Sequence, residues 1–233
     1  MMRTFILILI TFLAGCGERT TEDEILTFEA ELGKEEAEGL SKMVEHFENE
    51  LLKRYPNKTL DESYQLHLDL IGNSNGLELG QWVPAQLKKD SIFGTYSKNL
   101  VSEIWIKPDS VWVRDSLLFV SYRGNMNPRG RKIYNDITDF DSLIYNQRNT
   151  ESFNVRGRYL SAFKAISESN ILANWYHDLH SNAGTLSPHI TAQAFQNGKF
   201  EYYNLKAKIN YNDYMVKRII LVETYTETCA NRR

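Results

Sequence analysis

Residues 37–56 read AEGLSKMVEHFENELLKRYP, and the spacing of their apolar residues decides the fold class. Ala37, Leu40, Val44, Phe47 and Leu51 recur at alternating intervals of three and four. That period draws a single stripe along an α-helix. Lys53 and Arg54 fall in the last turn, where cations suit the helix dipole, and Pro56 cannot continue the helix. Thr59-Leu60-Asp61-Glu62 then has the form of a capping box. Leu60, Tyr64, Leu68 and Ile71 share the next face until Gly72. So short a link makes the two helices nearly antiparallel, and residues 34–72 are predicted to form a helical hairpin.

Upstream, residues 22–33 extend the first helix, although Gly33 and Gly39 interrupt its stripe. Downstream, Gly72–Gly80 (GNSNGLELG) is a turn-rich connector. EIWIKPDSVWVRD, residues 103–115, alternates apolar and polar on both sides of Lys107-Pro108-Asp109-Ser110. This is a hairpin pattern with turn residues at its centre. Short apolar runs do not separate strand from buried helix, so residues 81–130 stay open between the two. From Glu151 the period is helical again. Tyr159, Phe163 and Ile166 define one stripe; Leu172, Trp175, Tyr176 and Leu179 define the next, ending at Gly184. Ser187-Pro188 opens a third helix running to about Gln196. KFEYYNLKAKINYN (199–212) alternates like a strand, and DYMVKRIILVETY (213–225) returns to helical spacing. The expected fold is mainly α: an irregular multi-helix domain with the hairpin at 34–72 and a small β-hairpin insert near 103–120.

Of 233 residues, 42% are hydrophobic and 24% charged, an ordinary balance for a chain that buries a core. A net charge of −3 offers no clustered basic footprint for nucleic acid. Charge is uneven: Gly17–Glu62 carries fourteen acidic residues against six basic, whereas Trp105–Arg158 carries nine basic against six acidic. Solvated helix faces of opposite bias account for this.

The N-terminus holds the one specific motif. Arg3 and Thr4 precede the apolar run FILILITF (5–12), followed by Leu13-Ala14-Gly15 and Cys16. Basic n-region, apolar h-region and small-residue c-region are the three parts of a secretory signal. The apolar run is too short for a permanent membrane span, which needs about twenty residues. Leu13-Ala14-Gly15-Cys16 resembles the lipobox of bacterial lipoproteins. The resemblance covers about the first sixteen residues. It implies cleavage before Cys16, diacylglycerol on its sulfur, and usually a further acyl chain on the new α-amine. The organisation it implies is a signal peptide at 1–15, a polar tether at 16–24 and one mainly helical domain at 25–233. The expected location is a bacterial cell membrane or outer membrane, with the covalent lipid as membrane partner. Acylation of Cys16 also leaves Cys229 without an intramolecular partner, so no disulfide framework is expected.

Elsewhere the tempting motifs are weak. His177 and His180 sit three apart on one expected helix and His189 on the next, so a metal is geometrically accessible. The spacing departs from the i, i+4 pattern with intervening glutamate used by zinc proteases, and a solvated face is the better reading. Ser161-Ala162-Phe163-Lys164 has the S-x-x-K spacing of penicillin-binding enzymes without their companion elements. Residues 69–80 fail as a calcium loop, since Ile71 and Trp82 would take ligand positions. Asp136, Asp139 and Asp141 suit helix capping better than paired acid catalysis. The basic glycine-containing loop Arg123–Lys132 lacks a phosphate-loop pattern. Trp82, Trp105 and Trp112 cluster in the ambiguous middle, while Trp175 fits a core stripe.

No cofactor is expected. The leading expectation is a lipid-anchored cell-envelope module that binds or scaffolds an envelope protein or glycan. The alternative is a membrane-tethered hydrolase whose acids and histidines converge from distant parts of the chain.

Overall fold

In the computed structural model, the described residues are 19–73, 98–115, 117–122, 130–132, 139–200, 205–206 and 209–226. The protein is mainly helical, as the periodicity requires. The first helix, α1 (Glu22–Leu32), starts at a capping box: Thr21 Oγ1 accepts from Glu24 N, and Glu24 returns a bond to Thr21 N. It does not run on into α2 (Lys34–Arg54), because Gly33 sits at φ 101° and turns the chain. Gly39, by contrast, stays inside α2. α3 (Leu60–Asn73) opens with the expected Thr59–Glu62 box, with Glu62 accepting from Thr59 N at 2.9 Å. Thus the hairpin forms, with α1 as a separate helix before it.

Next come α4 (Lys98–Ile104) and the two-residue strand β1 (Trp105–Ile106). β2 (Ser110–Arg114) and β3 (Leu117–Ser121) pair antiparallel, with β4 (Gly130–Lys132) on the far side of β3. The hairpin insert is therefore present, but its turn is not Lys107–Ser110. It begins at Asp115, whose φ is 51°, between Arg114 and its cross-strand partner Leu117. Positive φ at the first turn residue suits the right-handed twist of a two-residue hairpin, and aspartate tolerates it. β1 pairs instead with β5 (Ser152–Phe153), Trp105 opposite Phe153.

α5 (Phe140–Asn149) lies against β2 and is capped by Asp139, whose carboxylate accepts from Ser142 N at 2.9 Å. Asp139 thus caps, and its bonds to Ser142 hold its carboxyl below the usual range. Val111 and Leu118 form a small apolar cluster with Leu143 and Ile144 beneath this helix.

The main core belongs to the helices. α6 (Arg158–Ala165), α7 (Ile171–Ala183) and α8 (Pro188–Asn197) follow the stripes foreseen for them. α6 packs on α1 and α8 on α3. Phe28 is fully buried and meets Tyr159, Phe163 and Tyr214 edge-on at 5.1–6.2 Å. Burying such a ring contributes about 2–3 kcal/mol. Of the strand expected over 199–212, the described residues include an antiparallel pair, β6 (Lys199–Phe200) with β7 (Leu205–Lys206). Tyr211 lies outside it and stacks on Tyr64 at 5.7 Å and 7°. The chain then enters α9 (Tyr214–Ile220), which continues as a π-helical turn, Leu221–Thr226. Asp213 caps α9, accepting from Met215 N and Val216 N.

One boundary needs correction. The tether was expected to run through residue 24, yet Thr20 is buried and Glu22–Glu24 form the first turn of α1. Asp213 holds Thr20 twice, accepting from its backbone N at 2.6 Å and its hydroxyl at 2.9 Å. Acidic residues gather in that first turn because carboxylates oppose the positive end of the helix dipole. Leu13, Ala14, Gly15, Cys16 and Cys229 lie outside the described residues, as do Trp82, Asp136 and most of the loop 123–132.

Candidate functional site

The three histidines do not converge. His177 is partly exposed and stays on its own helix, with Nδ1 3.3 Å from Asp178 Oδ1 and Nε2 accepting from Ser181 Oγ at 3.2 Å. His180, one turn on, faces the core at zero exposure rather than solvent. Its Nδ1 donates to the Gly184 carbonyl at 2.7 Å, and Phe153 stacks on its ring at 3.9 Å. His189 belongs to α8, with Nδ1 3.4 Å from the Ile71 carbonyl. Among the described residues no group of three or more His, Cys, Asp or Glu is placed to hold a metal. In the S-x-x-K candidate, Lys164 is exposed on α6 and Ser161 half-buried. Trp105 and Trp175 are core residues, whereas Trp112 is 36% exposed and stacks on Phe119.

What the fold does assemble is a buried polar seam. Tyr176 Oη donates to Glu223 Oε1 at 2.6 Å, and His180 Nε2 lies 3.2 Å from the same oxygen without aligning as a hydrogen bond. All three side chains are at zero exposure. Burial, reinforced by the Glu223 charge, pushes the Tyr176 phenol far above its ordinary value. With no solvent access, this seam fixes how α7 meets the π-helical turn, the role that suits a closed polar network.

An open cleft with a buried cation in its lining lies elsewhere, where the start of α1, the middle of α2 and α9 meet. A cleft of about 540 Å³ is lined by Arg19, Thr20, Glu22, Ser41, Lys217 and Arg218, among others. Arg218 is only 4% exposed. Its Nη1 donates to the Tyr214 carbonyl at 3.1 Å and its Nη2 to Ser41 Oγ at 2.7 Å. Its guanidinium carbon lies 3.2 Å from the centroid of the Tyr214 ring, a cation–π contact across one helical turn. Nε is buried without a hydrogen bond. Burial pushes the guanidinium below its ordinary value, and no carboxylate among the described residues lies within 4.0 Å of it.

Three neighbouring acids, Glu29, Glu48 and Asp213, are committed. Tyr214 Oη donates to Glu29 at 2.7 Å, Lys217 pairs with Glu48 at 2.7 Å, and Asp213 holds Thr20. Burial pushes the Tyr214 phenol up, which keeps it a neutral donor. Nothing in the local pattern marks this cleft, because Lys217-Arg218 reads as ordinary last-turn cations. The available signal was a charged residue inside the apolar run Met215–Val222, with tyrosine four residues before it.

No family model, curated protein or solved structure matches the chain.

Proposed function

We propose that this chain is a bacterial lipoprotein: residues 1–15 are removed, Cys16 carries the lipid, and the helical body is a binding or scaffolding module on a cell-envelope membrane. The observation that carries the reading is the ordered sequence of Arg3, the apolar run 5–12, Leu13-Ala14-Gly15 and Cys16. Two or three acyl chains, at about 0.8 kcal/mol per buried methylene, make release from the bilayer negligible. The start of the folded body at Thr20 adds to it. Only Gly17, Glu18 and Arg19 then separate the lipidated residue from the body. Even fully extended, such a spacer reaches about 14 Å, so the body rides at the headgroup surface. Its partners on this reading are the membrane itself and an envelope protein or glycan beside it. Among the described residues no helix is long and apolar enough to cross a membrane.

A tethered hydrolase is the second reading: among the described residues Glu223 with His180 has no exposed surface, and Asp178, His177 and Ser181, at 3.3 and 3.2 Å, lie together on one partly exposed helix. Metabolic labelling tests the anchor. Cys16→Ser abolishes incorporation of labelled palmitate and leaves an uncleaved or soluble chain; unchanged labelling rejects the assignment.

A further inference from the structure

We propose that the Arg218 cleft is a phosphate-binding site, filled by the headgroup phosphate of an anionic phospholipid. The phosphate assignment stands on the cleft alone; the choice of a lipid as its source rests on the membrane-anchor reading. A buried charge is ordinarily paired with an opposite charge, and a buried polar atom left without a hydrogen bond calls for an explanation. Among the described residues Arg218 has no carboxylate within 4.0 Å, and its Nε has no hydrogen bond. Two of its nitrogens reach neutral oxygens only, Nε reaches none, and Glu29, Glu48 and Asp213 already have other partners.

Unlike the His180 seam, this cation lines an open cleft. The counter-ion can therefore come from outside. A planar guanidinium matches the oxygens of phosphate with two parallel bonds. Thr20, Ser41 and Asn212 add polar groups to the walls, and exposed Arg19 adds a second cation at the rim. Lys217 also lines the cleft, although Glu48 already neutralises it. Glu22 is the single carboxylate in the lining, exposed at the first turn of α1. Arg19 lies three residues after Cys16, so a lipid-anchored body brings this cleft to the level of phospholipid headgroups.

The test uses the full chain in detergent, with its thermal midpoint followed against inorganic phosphate at constant ionic strength set by chloride. A ligand that binds only the folded state raises the midpoint, logarithmically once its concentration exceeds the dissociation constant. The wild type responds to phosphate and not to chloride. Arg218→Gln weakens the apparent affinity at least about tenfold. Arg19→Gln, an exposed change that leaves folding intact, weakens it about threefold. Dihexanoylphosphatidylglycerol competes with phosphate, and dihexanoylphosphatidylcholine competes less. A wild type that ignores phosphate, or variants that respond as the wild type does, overturns the site. Phosphate binding with no competition from phosphatidylglycerol overturns the lipid source. The Cys16→Ser chain separates this proposal from the anchor, because it keeps the phosphate response whatever becomes of acylation.

Discussion

His67 shows how one side chain sets a pH dependence. It is fully buried beside the Phe47 ring, and its Nε2 donates to Thr224 Oγ1 at 2.8 Å, since that hydroxyl donates to the Ile220 carbonyl. Burial first, and the Arg54 charge second, lower its pKa from 6.5 to about 3. A base depressed in the folded state binds its proton more tightly when unfolded, so stability is lost as pH falls from about 6.5 toward 3. Glu24 acts in the same sense at lower pH. Burial works to raise its carboxyl, but bonds from Thr21, Ser169 and Asn170 outweigh that and lower it. Its stabilisation is present above about 4.5 and fades below. Denaturant unfolding at pH 7 and pH 5 separates the two groups. His67→Leu costs about 1–2 kcal/mol at pH 7 and removes most of the loss between those values. An unchanged pH slope in the variant contradicts the assignment to His67.

At the scale of elements, Asp213 joins the two ends of the described chain. One carboxylate caps α9 and holds Thr20 ahead of α1, and it is 2% exposed. Asp213→Ala strands buried donors at both places and costs about 3 kcal/mol. Asp213→Asn keeps an acceptor for the cap and costs less. Urea titration distinguishes them, and equal costs for the two contradict the double role. Such a pairing is 193 residues long, which explains why local pattern did not disclose it. The hairpin α2–α3 was legible because helix period and capping boxes are local properties. So was the Thr21–Glu24 box, whose signature stood in the sequence but was absorbed into the expected polar tether. Lys107–Ser110 failed as a turn for the opposite reason. Pro108-Asp109 has turn chemistry, yet Trp105 finds its partner at Phe153 and not across that turn.

Position matters as much for Arg158, whose guanidinium links Glu36 of α2 at 2.6 Å and Glu103 of α4 at 3.3 Å. The Glu36 bond chiefly raises its already high pKa. Gly157 before it cannot carry a side chain, because a Cβ there would collide with the Glu103 carbonyl oxygen.

For the whole molecule, composition and period disclosed a mainly helical body, and the first sixteen residues carry the motif on which the proposed lipid anchor rests. The Arg218 cleft was not legible, since it exists only when α1, α2 and α9 meet. The proposed lipid, short spacer and cleft make one account, in which Cys16 keeps a helical body against a bilayer and a buried cation faces the headgroups. The most direct test is the intact mass of the protein purified from its native host membranes. The account predicts a chain beginning at Cys16 with the added mass of a diacylglyceryl group, and usually a further acyl chain. A chain that retains residues 1–15, or one that begins at an unmodified residue, contradicts it.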